Sequence, residues 1–198
     1  MSPRFVLASA SPARLALLRA AGIDPEVVVS GVDESALSGG TPGELVGTLA
    51  AAKADAVAGQ LPDALVLGCD SVLDLDGEAL GRPRDAADAA DRWRRMAGRS
   101  GILRTGHCLV RASTGQRHAE VASTVVHFGT PQPAELSAYL ASGEPLRVAG
   151  AFTIDGLGAV FVESIDGDHG TVVGLSLPVL RRLLARHGVE IHTLWAQP

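Results

Sequence analysis

Apolar runs and amphipathic stretches alternate along the chain, and they predict strands that alternate with helices. The predicted strands cover residues 4–9, 25–29, 65–69, 103–112, 119–128, 160–165 and 189–194. The predicted helices, marked by capping residues, first-turn prolines or terminal glycines, cover residues 12–21, 42–58, 85–96, 133–142 and 178–186. A hairpin turn is predicted at Asp76-Gly77. This order predicts an α/β fold with a mixed sheet.

The stretch from Leu65 to Pro83 carries the strongest chemical signal. Its apolar run, residues 65–69, predicts a buried strand, and Asp70 stands where that run stops. Arg82 lies near the end of the same stretch. A carboxylate at a strand end with a cation nearby suits a metal-assisted phosphate site. On this stretch alone, a hairpin whose acids face water is an equal alternative.

A serine-rich turn joins the first predicted strand to the first predicted helix. Ser9 and Ser11 precede Pro12, and Arg14 follows in the first turn. Free backbone N–H groups at a helix N-terminus bind anions, and Arg14 would add a cation there. The alternative is that Ser11 only caps the helix, which is the commoner use of such a serine.

Composition narrows the classes of protein. The chain has 198 residues, 46% of them hydrophobic, which is enough for one domain or two small lobes with a core. A net charge of -5 argues against a general nucleic-acid or membrane-binding surface. There is no apolar run of ~20 residues and no apolar N-terminus long enough for a signal peptide. Cys69 and Cys108, both in apolar runs, are expected to be reduced core residues. We therefore expect a cytoplasmic protein.

Two features of the charged residues stand out. Lys53 is the one lysine among 17 basic residues, and arginine is not equivalent to a compact ammonium. This suggests a functional lysine, with chance as the alternative. Asp33 and Glu34 form an acidic pair in a loop, most simply solvated. Hard carboxylates with cations suit Mg²⁺ or Mn²⁺ on a polyphosphate.

Other catalytic motifs fit poorly. The chain has no HExxH, CxxC, GxSxG or GxxxxGK[ST] sequence, which argues against zinc sites, serine hydrolases and P-loops. Residues 72–77, VLDLDG, look like the first motif of haloacid-dehalogenase-type phosphatases, with Asp74 as nucleophile. However, Glu78 follows where Thr or Val is usual, and a strand-helix-strand-helix unit precedes the motif.

Taken together, the segments resemble the Maf family, the nucleoside triphosphate pyrophosphatases also called septum formation proteins. The similar stretches, in order, are residues 7–14 (LASASPAR), 32–34 (VDE), 51–54 (AAKA), 68–72 (GCDSV), 81–83 (GRP), 142–145 (SGEP), 149–151 (AGA) and 173–175 (VGL). Their joint order and spacing carry the resemblance.

The resemblance implies a single domain over residues 1–198, with two lobes around a central cleft and an elongated mixed β-sheet flanked by helices. It also implies hydrolysis of a nucleoside triphosphate to a monophosphate and pyrophosphate with a divalent metal, in nucleotide housekeeping and cell-division arrest. A homodimer is compatible with it. The second hypothesis is a nucleotide-binding division regulator with little catalysis.

The family's site residues carry over to matching positions. Asp70 would accept the proton of the attacking water and hold the metal with Asp33 or Glu34. The residues expected to neutralise or cradle phosphates are Lys53, Arg82, Arg14, Ser9 and Ser11.

The sequence departs from the family pattern at positions that concern the substrate. Ala13 replaces the first arginine of SPRR, and Arg82 replaces the lysine of GKP. Ser71 replaces a threonine, and Asp155 stands where the dTTP/UTP branch has glutamine. Because a carboxylate accepts hydrogen bonds, Asp155 suits the N–H edge of a guanine-type base better than a pyrimidine.

Overall fold

The computed structural model describes residues 4–37 and 39–196. The α-helices are Pro12–Ala20 (α1), Pro42–Ala58 (α2), Ala86–Met96 (α3), Pro133–Ala141 (α4), His169–Val173 (α5) and Leu177–Arg186 (α6). The strands are Arg4–Leu7 (β1), Glu26–Val27 (β2), Ala64–Leu75 (β3), Glu78–Leu80 (β4), Ser100–Arg111 (β5), Gln116–Phe128 (β6) and Val162–Asp166 (β7). Short 3-10 turns cover Glu34–Ala36, Pro145–Arg147, Ala149–Ala151, Leu157–Phe161 and Ile191–Leu194.

Within the described ranges, seven strands form a mixed sheet in the order β2-β1-β3-β5-β6-β7, with β4 paired to β3. Strand β1 runs parallel to β2 and β3, with Phe5 opposite Leu65. Strand β4 is antiparallel to β3, and β7 is antiparallel to β6. The predicted mixed α/β fold is therefore confirmed.

The chain divides into two compact units. Unit 1 contains the described residues up to Asp70, Thr105–Ala122 and those from Gly174 onward. Unit 2 contains Ser71–Arg104 and Ser123–Val173. Strands β3, β5 and β6 contribute residues to both units. The single two-lobed domain stays a prediction.

Unit 1 has a helix-sheet-helix core. Leu7 and Leu67 pack with Leu18 of α1 and Leu183 of α6 in one cluster. The second cluster lies on the other face, where strand and helix α2 residues meet: Val6, Ala8, Val66, Cys108, Val110, Ala50, Ala54 and Val57. Because successive side chains of a strand point to opposite faces, neighbouring residues such as Val6 and Leu7 reach different clusters.

Unit 2 has its core around Trp93 of α3. The Trp93 ring makes edge contacts with Phe128, Tyr139 and Phe161 at centroid distances of 5.6 to 5.9 Å. Its Nε1 donates to the Ala151 carbonyl at 2.8 Å, so the buried indole has its hydrogen-bond partner. The small residues of segment 148–158 serve this core, since a Cβ at Gly150 would lie 2.8 Å from Leu73.

The predicted end of the strand at residues 65–69 was wrong. Strand β3 runs on to Leu75, so Asp70 lies inside the strand and not at its end. The polar positions Asp70 and Asp74 tolerate burial there because each meets a cation, Lys53 and Arg104 respectively.

The predicted last strand over 189–194 was also wrong, since Ile191–Leu194 forms a 3-10 turn. The Thr193 amide and hydroxyl both donate to the Glu190 carbonyl, a local arrangement that competes with strand pairing. Directly after this turn, Trp195 forms an isolated antiparallel β-bridge with Ile23. Helix α5 was not predicted; it begins where the Asp168 carboxylate accepts from the Thr171 amide at 2.9 Å.

In the described part of the chain, no helix is long and apolar enough to cross a membrane.

Candidate active site

Two carboxylates of unit 1 approach the ammonium group of one lysine in the same unit. The Nζ of Lys53 lies 2.5 Å from Asp70 Oδ1 and 2.6 Å from Glu34 Oε1. Lys53 and Asp70 are each only 7% exposed, whereas the Glu34 side chain is 57% exposed. A buried carboxylate on a strand and a solvent-facing carboxylate on a turn therefore share one ammonium.

A glycine lets helix α2 approach strand β3 closely enough to form this contact. Gly68 and Asp70 are two residues apart, so they face the same side of the strand, toward α2. A Cβ at Gly68 would lie 2.1 Å from the Ala50 carbonyl oxygen and 2.7 Å from the Ala54 nitrogen. Lys53 lies between those two helix residues in the sequence, and the close approach lets its ammonium reach Asp70.

The adjacent acids Asp33 and Glu34 have different partners. The Oδ1 of Asp33 accepts from the Ser35 hydroxyl at 2.6 Å and from the Ser35 amide at 3.0 Å. The Ser35 hydroxyl, and after it the Ser35 amide, lowers the pKa of the Asp33 carboxyl below its usual value. Asp33 thus caps the turn that presents Glu34, and it is Glu34 that contacts Lys53.

The serine-rich turn before α1 is organised by Arg14. The Ser11 hydroxyl accepts from the Arg14 amide at 3.4 Å, which is the capping role considered from the sequence. The Ser9 hydroxyl accepts from Arg14 Nη1 at 2.9 Å. The same Nη1 donates to the Cys69 carbonyl at 3.0 Å, directly before Asp70. Arg14 is therefore buried and ties the serine turn to the strand that carries Asp70.

One residue that holds the segment before α6 was not predicted from the sequence. His107 is fully buried, and its Nε2 accepts from the Ser176 amide at 2.8 Å. Burial lowers the pKa of His107 to about 4, so the imidazole is neutral and can accept this hydrogen bond. Arg14 Nε donates to Gly174 O at 2.7 Å, so both side chains hold the backbone before α6. A lone histidine within an apolar run was the one available signal, and it is weak.

The Asp70–Glu34 pair fits a divalent cation. Both carboxylates already meet at a single positive charge, and Mg²⁺ commonly takes one or two carboxylates together with substrate phosphates. Among the residues described, no group of three or more His, Cys, Asp or Glu side chains could hold a metal ion. Phosphate oxygens or water would have to complete the coordination.

The other predicted site residues belong to unit 2. Ser71 is half-buried and follows Asp70 in β3, while Arg82 and Asp155 are exposed. Within the described ranges, the Arg82 side chain makes no hydrogen bond or ion pair. The roles of these three residues at the site stay predictions.

The rival motif is occupied by structural contacts. The Asp74 carboxylate is buried, accepts from Arg104 Nε at 2.7 Å and from the Gly77 amide at 2.9 Å. Asp76 pairs with Arg99 across 2.9 Å. Strands β3 and β4 pair on either side of the Asp76-Gly77 turn, which confirms the predicted hairpin. A carboxylate held in this way is poorly placed to act as a nucleophile.

The mixed sheet and the lysine-bridged acids beside a serine-capped helix define an α/β protein whose site suits a phosphorylated ligand. Residues 4–187 match the family model described as Maf-like protein. The chain is 60% identical over 195 residues to a Streptomyces coelicolor protein, covering 98% of this chain and 95% of that one. It is 52% identical over 210 residues to a protein of Mycobacterium sp. (strain JLS), covering 100% of both. Both relatives are named nucleoside triphosphate pyrophosphatase. The chain belongs to the Maf family.

Proposed function

We propose that this chain hydrolyses a nucleoside triphosphate between the α and β phosphates, giving a monophosphate and pyrophosphate. The observation that carries the proposal is the ammonium of Lys53 held between buried Asp70 and exposed Glu34. The names of relatives 52% to 60% identical to the chain support it.

Asp70 accepts the proton of the attacking water in this proposal. Its backbone lies inside β3, between the residues that pair with β1 and those that pair with β4, and its side chain is buried against Lys53, so the carboxylate is held in a fixed position. A base in a fixed position reduces the entropy lost on reaching the transition state. Lys53 neutralises negative charge that would otherwise repel the substrate, and stabilises charge that shifts between phosphate oxygens.

The phosphate tail lies against the start of α1. Ser9 and Ser11 supply hydroxyl groups, and the first-turn N–H groups of the helix supply donors to the anion. Arg14 holds the Ser9 hydroxyl in place and adds positive charge behind it. Arg82 adds a further cation to the phosphates, and Ser71 and Asp155 contact the base.

Asp70 and Glu34 would hold a divalent cation, Mg²⁺ or Mn²⁺, with Asp33 shaping the turn that carries Glu34. When bound, the cation supplies positive charge that offsets the charge of the phosphate oxygens. We further propose a cytoplasmic protein, active on free nucleotides and not on nucleic acid or membranes, and able to form a homodimer.

The test is a nucleotide panel with Mg²⁺ or Mn²⁺, monitored for monophosphate and pyrophosphate. We expect Asp70→Asn to abolish turnover while leaving the circular dichroism spectrum unchanged, and Asp74→Asn to retain turnover. Orthophosphate release, or loss of activity in Asp74→Asn alone, would move the assignment to the phosphatase. Tight nucleotide binding without any turnover would favour the division regulator.

A further inference from the structure

Two side chains of helix α3, Asp88 and Arg92, form hydrogen bonds with the backbone on either side of Arg82. These residues all belong to unit 2. Arg92 Nη1 donates to the Gly81 carbonyl at 2.5 Å, and Nη2 lies 3.5 Å from the Arg82 carbonyl. Asp88 Oδ2 accepts from the Arg84 amide at 2.9 Å. Arg92 and Asp88 also bind each other at 2.9 Å, one helical turn apart.

Other contacts restrain the same segment. The Gly81 carbonyl accepts a second hydrogen bond, from the Gly150 amide at 3.1 Å. Pro83 is buried, and its ring fixes its own φ. The backbone of residues 81–84 is therefore held at the Gly81 carbonyl and the Arg84 amide, with a longer contact at the Arg82 carbonyl, and the Pro83 ring restricts it further.

Arg92 is more buried than the other two arginines of helix α3, Arg94 and Arg95. Its side chain is 11% exposed, whereas that of Arg94, two residues later, is 72% exposed and pairs with Asp91. Burying an arginine against backbone carbonyls requires its charge to be matched, which Asp88 does. The exposed Arg82 side chain is thus carried on a restrained backbone.

We propose that Arg92, fixed by Asp88, is a positioning residue that sets the location of Arg82 for catalysis. This rests on the proposed function, in which Arg82 neutralises phosphate charge. A displacement of about 1 Å of a substrate-positioning group can lower a rate about 10²-fold, so backbone restraint matters for a long side chain. Arg92 touches neither substrate nor Asp70 in this scheme and acts through Arg82 alone.

The test is a double-mutant cycle on kcat and KM, using wild type, Arg92→Gln, Arg82→Ala and the double variant. We expect Arg92→Gln to lower kcat about 10-fold when Arg82 is present, and by less than about 2-fold in the Arg82→Ala background. Arg92→Lys, which keeps the charge facing Asp88, should recover part of the loss. Arg94→Gln on the same helix is the matched control and should leave kcat unchanged. Equal losses in both Arg82 backgrounds would overturn the inference.

Amide hydrogen exchange provides a readout that does not depend on turnover. In Arg92→Gln, the Arg84 and Gly150 amides should exchange faster, while the amide of Val66 in β3, which pairs with β1, should not change. Unchanged exchange at Arg84 and Gly150 would also overturn the inference. A wild-type protein that releases no pyrophosphate would overturn the proposed function and this inference together. Active wild type with a normal Arg82→Ala variant would remove the role of Arg82 and, with it, that of Arg92.

Discussion

The choice of lysine at position 53 follows from the geometry around its terminal atom. Two carboxylates approach the same nitrogen, at 2.5 and 2.6 Å. An ammonium presents its charge at one centre with rotatable donors, whereas a guanidinium spreads its charge over a planar fork. An arginine at this position would place its charge beyond the point where the two acids meet.

At position 53 we therefore expect both Lys53→Arg and Lys53→Met to lower kcat/KM by at least about 10²-fold. Lys53→Met leaves Asp70 buried without its cation and should lower the free energy of unfolding by about 3 kcal/mol. Pyrophosphate release and urea denaturation measure the two effects. Arg117→Lys is the matched control, because Arg117 forms an exposed pair with Asp55 of the same helix. A Lys53→Arg variant with normal turnover would contradict the argument.

At the residue scale, the sequence pattern marked Lys53 and Asp70 as candidates, since a lone lysine and an acid after an apolar run are visible in it, but the resemblance to the Maf family was needed to favour a functional role for them. The sequence could not separate Asp33 from Glu34, because adjacent acids differ only in which neighbour each one meets. Ser35 makes that distinction in the structure by binding Asp33. His107 escaped because its partner, Ser176, is 69 residues away in the chain.

At the scale of secondary-structure elements, the packing of α2 against the sheet depends on glycines. Gly68 meets the helix backbone from β3, and Gly106 does so from β5, where a Cβ would lie 2.2 Å from the Val46 carbonyl oxygen. Contacts this short involve backbone atoms, which cannot rotate away as a side chain would. The glycines thus fix how far Lys53 stands above the sheet.

We expect Gly68→Ala to push α2 outward, lowering the free energy of unfolding by about 1–3 kcal/mol and reducing turnover. Urea denaturation and pyrophosphate release test both parts. Gly59→Ala at the end of the same helix is the control, since its Cβ would lie 3.6 Å from the nearest atom, an ordinary contact. Normal activity in Gly68→Ala would show that the helix position is not critical.

The segment before α6 should make stability depend on pH through His107. Its pKa in the folded protein is about 4, below the usual 6.5, because the ring is buried. Between about pH 6.5 and pH 4, His107 of the unfolded chain takes up a proton that the folded chain does not. The contribution of His107 to stability is therefore fully present above about pH 6.5 and is lost as the pH falls toward 4.

We accordingly expect the free energy of unfolding to fall by about 2 kcal/mol from pH 7 to pH 5 through His107. His107→Gln places an acceptor near the position of Nε2 for the Ser176 amide but does not titrate, so its unfolding free energy should change less over this interval. Urea denaturation of both proteins at the two pH values measures the difference. Identical pH dependence in wild type and variant would refute the assignment.

Helices α1, α2, α3, α4 and α6 were predicted because their signals are local, whereas the five-residue α5 was missed. Thr41 and Glu44 form the capping box at the start of α2, and Ser11 and Ser176 cap α1 and α6. Strand limits were harder, because the length of β3 depends on partners that lie elsewhere in the chain. The apolar pattern alone could not reveal that cations would accompany Asp70 and Asp74 inside that strand.

At the scale of the whole molecule, the negative net charge of the protein is unfavourable for binding the negatively charged substrate that we propose. A net charge of -5 repels a triphosphate, and two of the acids lie at the candidate site itself. We expect a chelator to abolish pyrophosphate release and added Mg²⁺ or Mn²⁺ to restore it. Glu34→Gln should raise the metal concentration needed for half-maximal rate, while Glu135→Gln, an exposed acid that starts α4, should not. Full activity in the chelator would remove the metal from the proposal.

The way the two units draw on the chain has a consequence for shortened forms of the protein. Unit 1 needs three separate stretches of sequence, and unit 2 needs two. No continuous fragment contains all of one unit without part of the other. Expressing residues up to Asp70 alone would omit Thr105–Ala122 and the segment from Gly174 onward, leaving β1 and β3 without the strand and helix that cover them. Neither unit corresponds to one continuous segment of the sequence, so neither can be removed or exchanged as a single fragment.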